Sequence, residues 1–250
     1  MKNIRFCFEN LFDYGTISVS SESAEFPKEN LKHYWFIKYW RSMSASAQWV
    51  KIDLGEAKDI RAFIAKFHNI TNNATINIQA NSSDNWTNPP VNVDLLRNSE
   101  NLVYIWEEAQ SYRWWRLYVD DSSNPDGYIR IGRIFLGDYF EPSINFNFKK
   151  LTELRDGSKL ISSFGGQVSA IEQPKFKEHS YSFMLPSADI EILGGAWKTI
   201  GVTMPYFIVE DADSAPEKIY YVRNINEWGL RPLTPTWTYY EIDIKAREER

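Results

Sequence analysis

Cysteine is nearly absent from this 250-residue chain, and the one present, Cys7, cannot form an internal disulfide. The chain therefore folds in a reducing cell or needs no covalent staple. Cys7 lies in an apolar alternation, so it reads as a buried thiol; a catalytic cysteine wants an exposed thiolate near a histidine. Histidine is also scarce. His33, His68 and His179 lie far apart and show no metal-ligand spacing. There is no Gly-rich phosphate loop, no G-x-S-x-G and no H-E-x-x-H. Carboxylates are numerous but scattered. The adjacent pairs Glu107-Glu108 and Asp120-Asp121 would point to opposite faces of a strand. Folding can still bring distant carboxylates together as a glycosidase pair. The expectation is a protein that is not an enzyme and carries no cofactor. No apolar run approaches the length of a membrane span. The stretch Met1 to Asn10 lacks the pattern of a secretory leader. Net charge is −5, which argues against broad nucleic-acid binding and against an anionic membrane surface.

Aromatic residues are plentiful: 10 Trp, 14 Tyr and 15 Phe, or 16% of the chain. Such side chains favour strands, and most fill cores. Their flat faces also stack on sugars or bases. The first half reads as strands and turns. Alternating or β-prone runs cover Thr16–Ser20, Trp49–Leu54, Ile60–Phe67, Ala74–Ala80, Leu102–Trp106, Tyr112–Val119 and Tyr128–Leu136. Turn clusters separate them at 81–90, "NSSDNWTNPP", and 120–127, "DDSSNPDG". In "QWVKIDLGEAKDIRAFIAKF", Gly55 divides two greasy runs, which predicts a hairpin. Many short strands without intervening amphipathic helices predict an antiparallel sandwich or jelly roll.

The texture changes near Phe140–Ser143, so two domains are expected: residues 1–142, a β-sandwich, and residues 143–250, a smaller β-rich α+β domain. In the second, turns fall at Asp156-Gly157 and Gly165-Gly166. A helix is expected over Ser187–Trp197, capped by Ser187, with Ile190, Leu193 and Trp197 on one face. Strands resume at Tyr206–Val209, Ile219–Val222 and Thr236–Ile244. The terminal "KAREER" reads as a frayed, solvated tail.

Several stretches resemble the discoidin-like domains, also called coagulation-factor C-type domains, which share a jelly roll with galactose-binding modules. In that family a Trp precedes an alternating strand ending in Asp-Leu-Gly; here those positions are Trp49, Ile52, Asp53, Leu54 and Gly55. "SYRWWRLYVDD" is similar to the family's Arg-containing strand, with Arg113, Trp114 and Arg116 in its places. "YIRIGRIFLGD" resembles the closing strand, and "VSSESAEFPKENL" followed by "YWRS" resembles the leading segment. The match spans roughly residues 9–140. More loosely, "HNITNNATINIQAN", "DGSKLISSFGGQVSAIEQPKF" and "RPLTPTWTYYEIDIK" resemble tail or virion-associated proteins of bacteriophages and prophages.

The resemblance implies a non-enzymatic virion protein made in bacterial cytoplasm, with other virion proteins and a cell-surface glycan as partners. It implies oligomerisation within an assembly, no nucleic acid and no membrane insertion. A structural calcium, held mostly by backbone carbonyls, occurs in discoidin-like relatives. Such relatives bind ligands at one end of the barrel. If strand 49–54 leaves that end and 60–67 returns to it, the 68–73 loop and the 32–47 segment lie there. The link 107–111 is expected to join them, with 81–90 and 120–127 at the opposite end. The candidate sugar contacts are Tyr34, Trp35, Arg41, His68, Asn69, Asn72 and Asn73. Each has a plainer alternative. Tyr34 and Trp35 can pack under the loop, Arg41 can pair with Asp53, and His68 and Asn69 can shape the turn. Trp40 reads as a core plug and Trp86 as packing at the far end. Two further readings stand beside this one: a purely structural tail adaptor, and an accessory carbohydrate module beside a degraded catalytic half.

Overall fold

The computed structural model describes residues 2–147, 150–211 and 218–249. The chain divides into two compact units. One comprises Arg5–Phe140 with Val209–Ile219; the other comprises Met1–Ile4, Glu141–Ile208 and Tyr220–Arg250. Neither is continuous in sequence.

Nine strands build the first unit: β1 (Arg5–Cys7), β2 (Thr16–Val19), β3 (Trp40–Arg41), β4 (Gln48–His68), β5 (Thr75–Asn81), β6 (Val91–Asp94), β7 (Leu96–Arg97), β8 (Asn101–Asp120) and β9 (Arg130–Gly137). Pairing is antiparallel throughout the main sheet. The expected hairpin at Gly55 is not there. β4 is one long strand whose two arms pair with β8, not with each other. Gln48 to Asp53 face Val119 to Trp114, and Ala62 to Lys66 face Ile105 to Asn101. Between them the register shifts, so both strands bend together. Gly55 sits at the bend with φ +81° and donates its N–H to Asp53 Oδ1 at 2.8 Å. That φ favours glycine. The 54–59 bend thus looks like a turn in sequence but continues the ladder.

The bend makes two layers from few strands. The N-terminal arm of β4 pairs with β2, and the C-terminal arm of β8 pairs with β5, which carries β6. On the other layer β3, β9, the second arm of β4, the first arm of β8 and β7 run side by side. Val50, Ile52, Ile78, Trp115 and Leu117 from one layer meet Phe63, Ile134 and Leu136 from the other. Each such side chain contributes about 1.5–3 kcal/mol when fully buried. This is a β-sandwich of the jelly-roll kind. Trp40 is 1% exposed and donates Nε1–H to Ser21 O, a plug as expected. Cys7 is fully buried, and burial pushes its thiol pKa up.

The second unit contains β10 (Leu151–Asp156), β11 (Lys159–Ser162), β12 (Val168–Ile171), β13 (Lys175–Pro186), α1 (Ser187–Ile200), β14 (Tyr206–Val209), β15 (Ile219–Asn224), β16 (Leu230–Pro232) and β17 (Tyr239–Glu248). The order is β14-β15-β17-β13-β10, with β16 beside β17. β11 and β12 pair only with each other among the described residues. The helix buries Ile190, Leu193 and Ile200; Trp197 is half-buried, tilted against Trp228. Ser187 is not its cap: Pro186 holds that position without a side-chain bond, and Ser187 N–H donates to Thr238 O. Nor is the charged end frayed. β17 runs through Glu248 because Ile242, Ile244 and Ala246 keep an apolar alternation on the core face.

Candidate functional site

Three loops gather at one rim of the sandwich. Ser42 N–H donates to Ile129 O, Asp121 N–H donates to Ala45 O, and Asn124 Nδ2 donates to Asn69 O at 3.0 Å. Asp121, 1% exposed, accepts from Thr71 N–H at 2.8 Å, Thr71 Oγ1 at 2.6 Å and Asn124 Nδ2 at 2.8 Å. So the 42–47 and 68–73 segments do share an end. The 120–127 loop, expected opposite, belongs there too, because β9 starts beside the end of β4. The 107–111 segment does not: it lies in the β8 bend, with Ser111 opposite Asp59. The 81–90 loop is at that far end, where Asp84 pairs with Lys51 and Trp86 lies under the Arg116 guanidinium.

The predicted contacts fall into distinct environments. Asn69 is fully occupied: its Nδ2 donates to Asp126 Oδ2 and Tyr128 O, both at 2.9 Å, and its Oδ1 accepts from Arg130 N–H at 2.7 Å. It shapes the loop. His68 is buried, with Nδ1 accepting from Ile70 N–H at 3.1 Å. Burial lowers its pKa to about 4, so the ring is neutral near pH 7. Asn72 and Asn73 are exposed, and the carbonyl of Asn72 accepts from Arg97. Tyr34 is half-buried under the Arg133 guanidinium, 5.4 Å from its ring centroid. Trp35 is 55% exposed beside His33, with ring centroids 5.0 Å apart. Its neighbour Phe36 packs on Phe67, which places it near this end of β4.

Arg41 is the predicted residue with the richest surroundings. Its guanidinium lies 4.7 Å from the Phe26 ring centroid and 5.2 Å from that of Tyr128. It donates to Ser23 Oγ at 3.0 Å and forms no ion pair with Asp53. Phe26 stacks on Tyr39 at 4.4 Å and 7°. Arg130 lies 5.3 Å from the Tyr39 centroid. The result is a run of planar groups, Arg130, Tyr39, Phe26, Arg41 and Tyr128, all half-buried. Sequence reasoning missed Phe26, Tyr39, Tyr128 and Arg130. Phe26 and Tyr39 lie in the leading segment and Tyr128 and Arg130 in the closing strand, but it takes cross-strand pairing to bring them together.

An aromatic face with fixed polar groups around it is suited to binding a ligand. Among the described residues no three or more His, Cys, Asp or Glu side chains group to hold a metal. The resemblance also implies a structural calcium, for which the leading segment offers the Asp13 and Leu31 oxygens. There the Asp13 carboxylate and the Leu31 carbonyl both accept from Arg133, at 2.7, 2.6 and 3.1 Å. A fixed internal guanidinium already takes up these oxygens, so they do not fit a calcium ion.

No family model matches the chain, and no curated protein does. Among solved structures, the chain is similar to the family 32 carbohydrate-binding module of NanJ from C. perfringens, in complex with galactose. That likeness has 12% identity and a TM-score of 0.42, over 54% of this chain and 99% of that one. It is also similar to chitosan-binding module 2 of a chitosanase/glucanase from Paenibacillus sp. IK-5, in complex with chitotriose, at 18% identity and a TM-score of 0.42, over 52% of this chain and 100% of that one. The lectin domain of lectinolysin with Lewis B antigen is similar at 12% identity and a TM-score of 0.42, over 54% of this chain and 98% of that one.

Proposed function

We propose that this chain is a non-enzymatic, tail-associated virion protein of a bacteriophage, made in bacterial cytoplasm, whose N-terminal sandwich binds a glycan on the host surface. The observation that carries the binding role is the rim of half-buried rings and guanidiniums from Phe26 to Arg130. Rings of this kind stack on sugar faces, and Arg and Asn groups bond hydroxyls. The virion setting rests on the resemblance of the 68–81, 156–176 and 231–245 stretches. A glycan array tests the binding role, with Tyr128→Ala and Trp35→Ala beside the native chain. Saturable binding that Tyr128→Ala removes is expected. Absence of binding by the folded protein would remove this reading.

A second reading makes the chain a structural adaptor. It is favoured by the β11–β12 hairpin, where Leu160 is 73% exposed, Val168 61% and Phe164 fully. No charged residue occurs from Leu160 to Ile171. Bare apolar strands of this sort are normally covered by a neighbour. The two roles are compatible, since the hairpin and the rim belong to different units of the chain.

A further inference from the structure

Arg41 and Arg130 are direct cross-strand partners in the β3–β9 pair. Side chains so placed leave the same face of the sheet, and like charges there repel. Both residues are half-buried, which strengthens that repulsion relative to open water. A protein with net charge −5 has carboxylates to spare, yet neither guanidinium has one within ion-pair distance among the described residues. Of the acidic side chains in this loop, Asp126 is bonded to Asn69 and Asp121 to Thr71 and Asn124. Among the described residues the guanidiniums lie against ring faces, and Arg41 also bonds the Ser23 hydroxyl. Ring faces ease the burial of a cation without neutralising it. Two guanidiniums from directly paired residues, beside stacking rings, suit a planar or tetrahedral anion borne on a ring-shaped ligand.

We infer that the rim takes an acidic sugar, whose carboxylate or sulfate group sits between Arg41 and Arg130 while its ring lies on the neighbouring aromatic faces. This rests on the glycan-binding reading and narrows it to one ligand class. A neutral sugar would leave the two charges opposed, so it gains nothing from the pair. Binding should also weaken with salt, since the charges are partly solvated.

The experiment compares matched oligosaccharides on the full chain: a neutral glucan, its uronate counterpart and its sulfated counterpart. The same set is run on Arg130→Gln and Arg41→Gln, with thermal unfolding of each variant as the control for folding. The expected result is binding to one or both acidic forms, with the uronate and sulfate arms distinguishing the anion. The neutral form should bind at least about tenfold more weakly, and Arg130→Gln should remove that difference. If neutral and acidic forms bind alike, or the difference survives in folded Arg130→Gln and Arg41→Gln, the acidic-sugar inference is overturned and the glycan reading stands. If the native chain binds none of the set and no glycan on a broad array, the glycan reading itself is lost, and this inference with it. The comparison of the native chain on three sugars remains decisive even where a variant misfolds.

Discussion

Arg113 donates to both carboxylate oxygens of Asp53, Nε to Oδ1 at 2.6 Å and Nη2 to Oδ2 at 2.7 Å. The two residues come from separate stretches that resemble one family, and they meet where the first arm of β4 ends. Asp53 Oδ1 also accepts from Gly55 N–H, so one carboxylate holds the neighbouring strand and the bend together. Arg113 is the largest cause of a lowered Asp53 pKa. A carboxyl with a depressed folded pKa adds stability above its unfolded pKa and loses it as pH falls through the folded value. Asp53→Asn is therefore expected to be less stable than the native chain at pH 7. The gap should close as pH drops below the ordinary carboxyl value of 3.8. Urea unfolding of both proteins from pH 7 to pH 2.5 checks this. A gap independent of pH would mean the pair is not what Asp53 contributes.

Much of the first unit was legible in the sequence because its strands alternate and its turns carry Asn, Asp, Gly and Pro. Trp40 and Ile52 occupy the core as the pattern implied, while Trp49 and Leu54 are half-buried. What misled was Gly55. A glycine between two apolar runs signals a turn, but here it serves a bulge inside one continuous strand. Leu102–Trp106 and Tyr112–Val119 read as separate strands because the mostly polar Glu107–Ser111 interrupts them, although β8 is one bent strand. The candidate site was legible only in part. Arg41 could be found because it follows Trp40 in a motif-like stretch. Its partners Phe26, Tyr39 and Arg130 are assembled by cross-strand pairing and ring stacking, which no local pattern encodes. His68 drew notice as a polar residue at a strand end; its burial depends on the β9 strand packed beside it.

The Arg133 side chain, 3% exposed, is paired through two nitrogens with Asp13. Removing one member of a buried pair leaves the other without compensation. Arg133→Met is expected to destabilise the chain by about 3–5 kcal/mol, read as a shift in the denaturant midpoint. A midpoint shift well under this range would mean that the pair adds little to stability.

The β11–β12 hairpin makes a prediction of the opposite kind. Leu160 is mostly exposed and Phe164 fully so within the chain. Replacing either with Ser should leave thermal stability within the small range typical of surface changes. Self-association or assembly with a neighbouring subunit should fall instead. Sedimentation velocity alongside thermal unfolding separates the two effects. A large loss of stability in Phe164→Ser, with association unchanged, would place the hairpin in the chain's own core and remove the adaptor reading.

His68 is 5% exposed, and burial is the largest cause of its pKa falling from 6.5 to about 4. In the unfolded chain the same ring takes up a proton near its ordinary value. Below pH 6.5 the unfolded state therefore binds more protons than the folded state at this site, and stability drops as pH falls towards 4. Over that window the loss from this one residue is on the order of 3 kcal/mol. His33 also has a lowered pKa, but its ring is only half-buried, so its share is smaller. His68→Asn retains an acceptor suited to the Ile70 N–H and cannot be protonated in this range. The variant is expected to lose much less stability than the native chain between pH 7 and pH 4.5. Parallel slopes for the two proteins, measured by urea unfolding at each pH, would mean that His68 is protonated as easily in the folded chain as in the unfolded one.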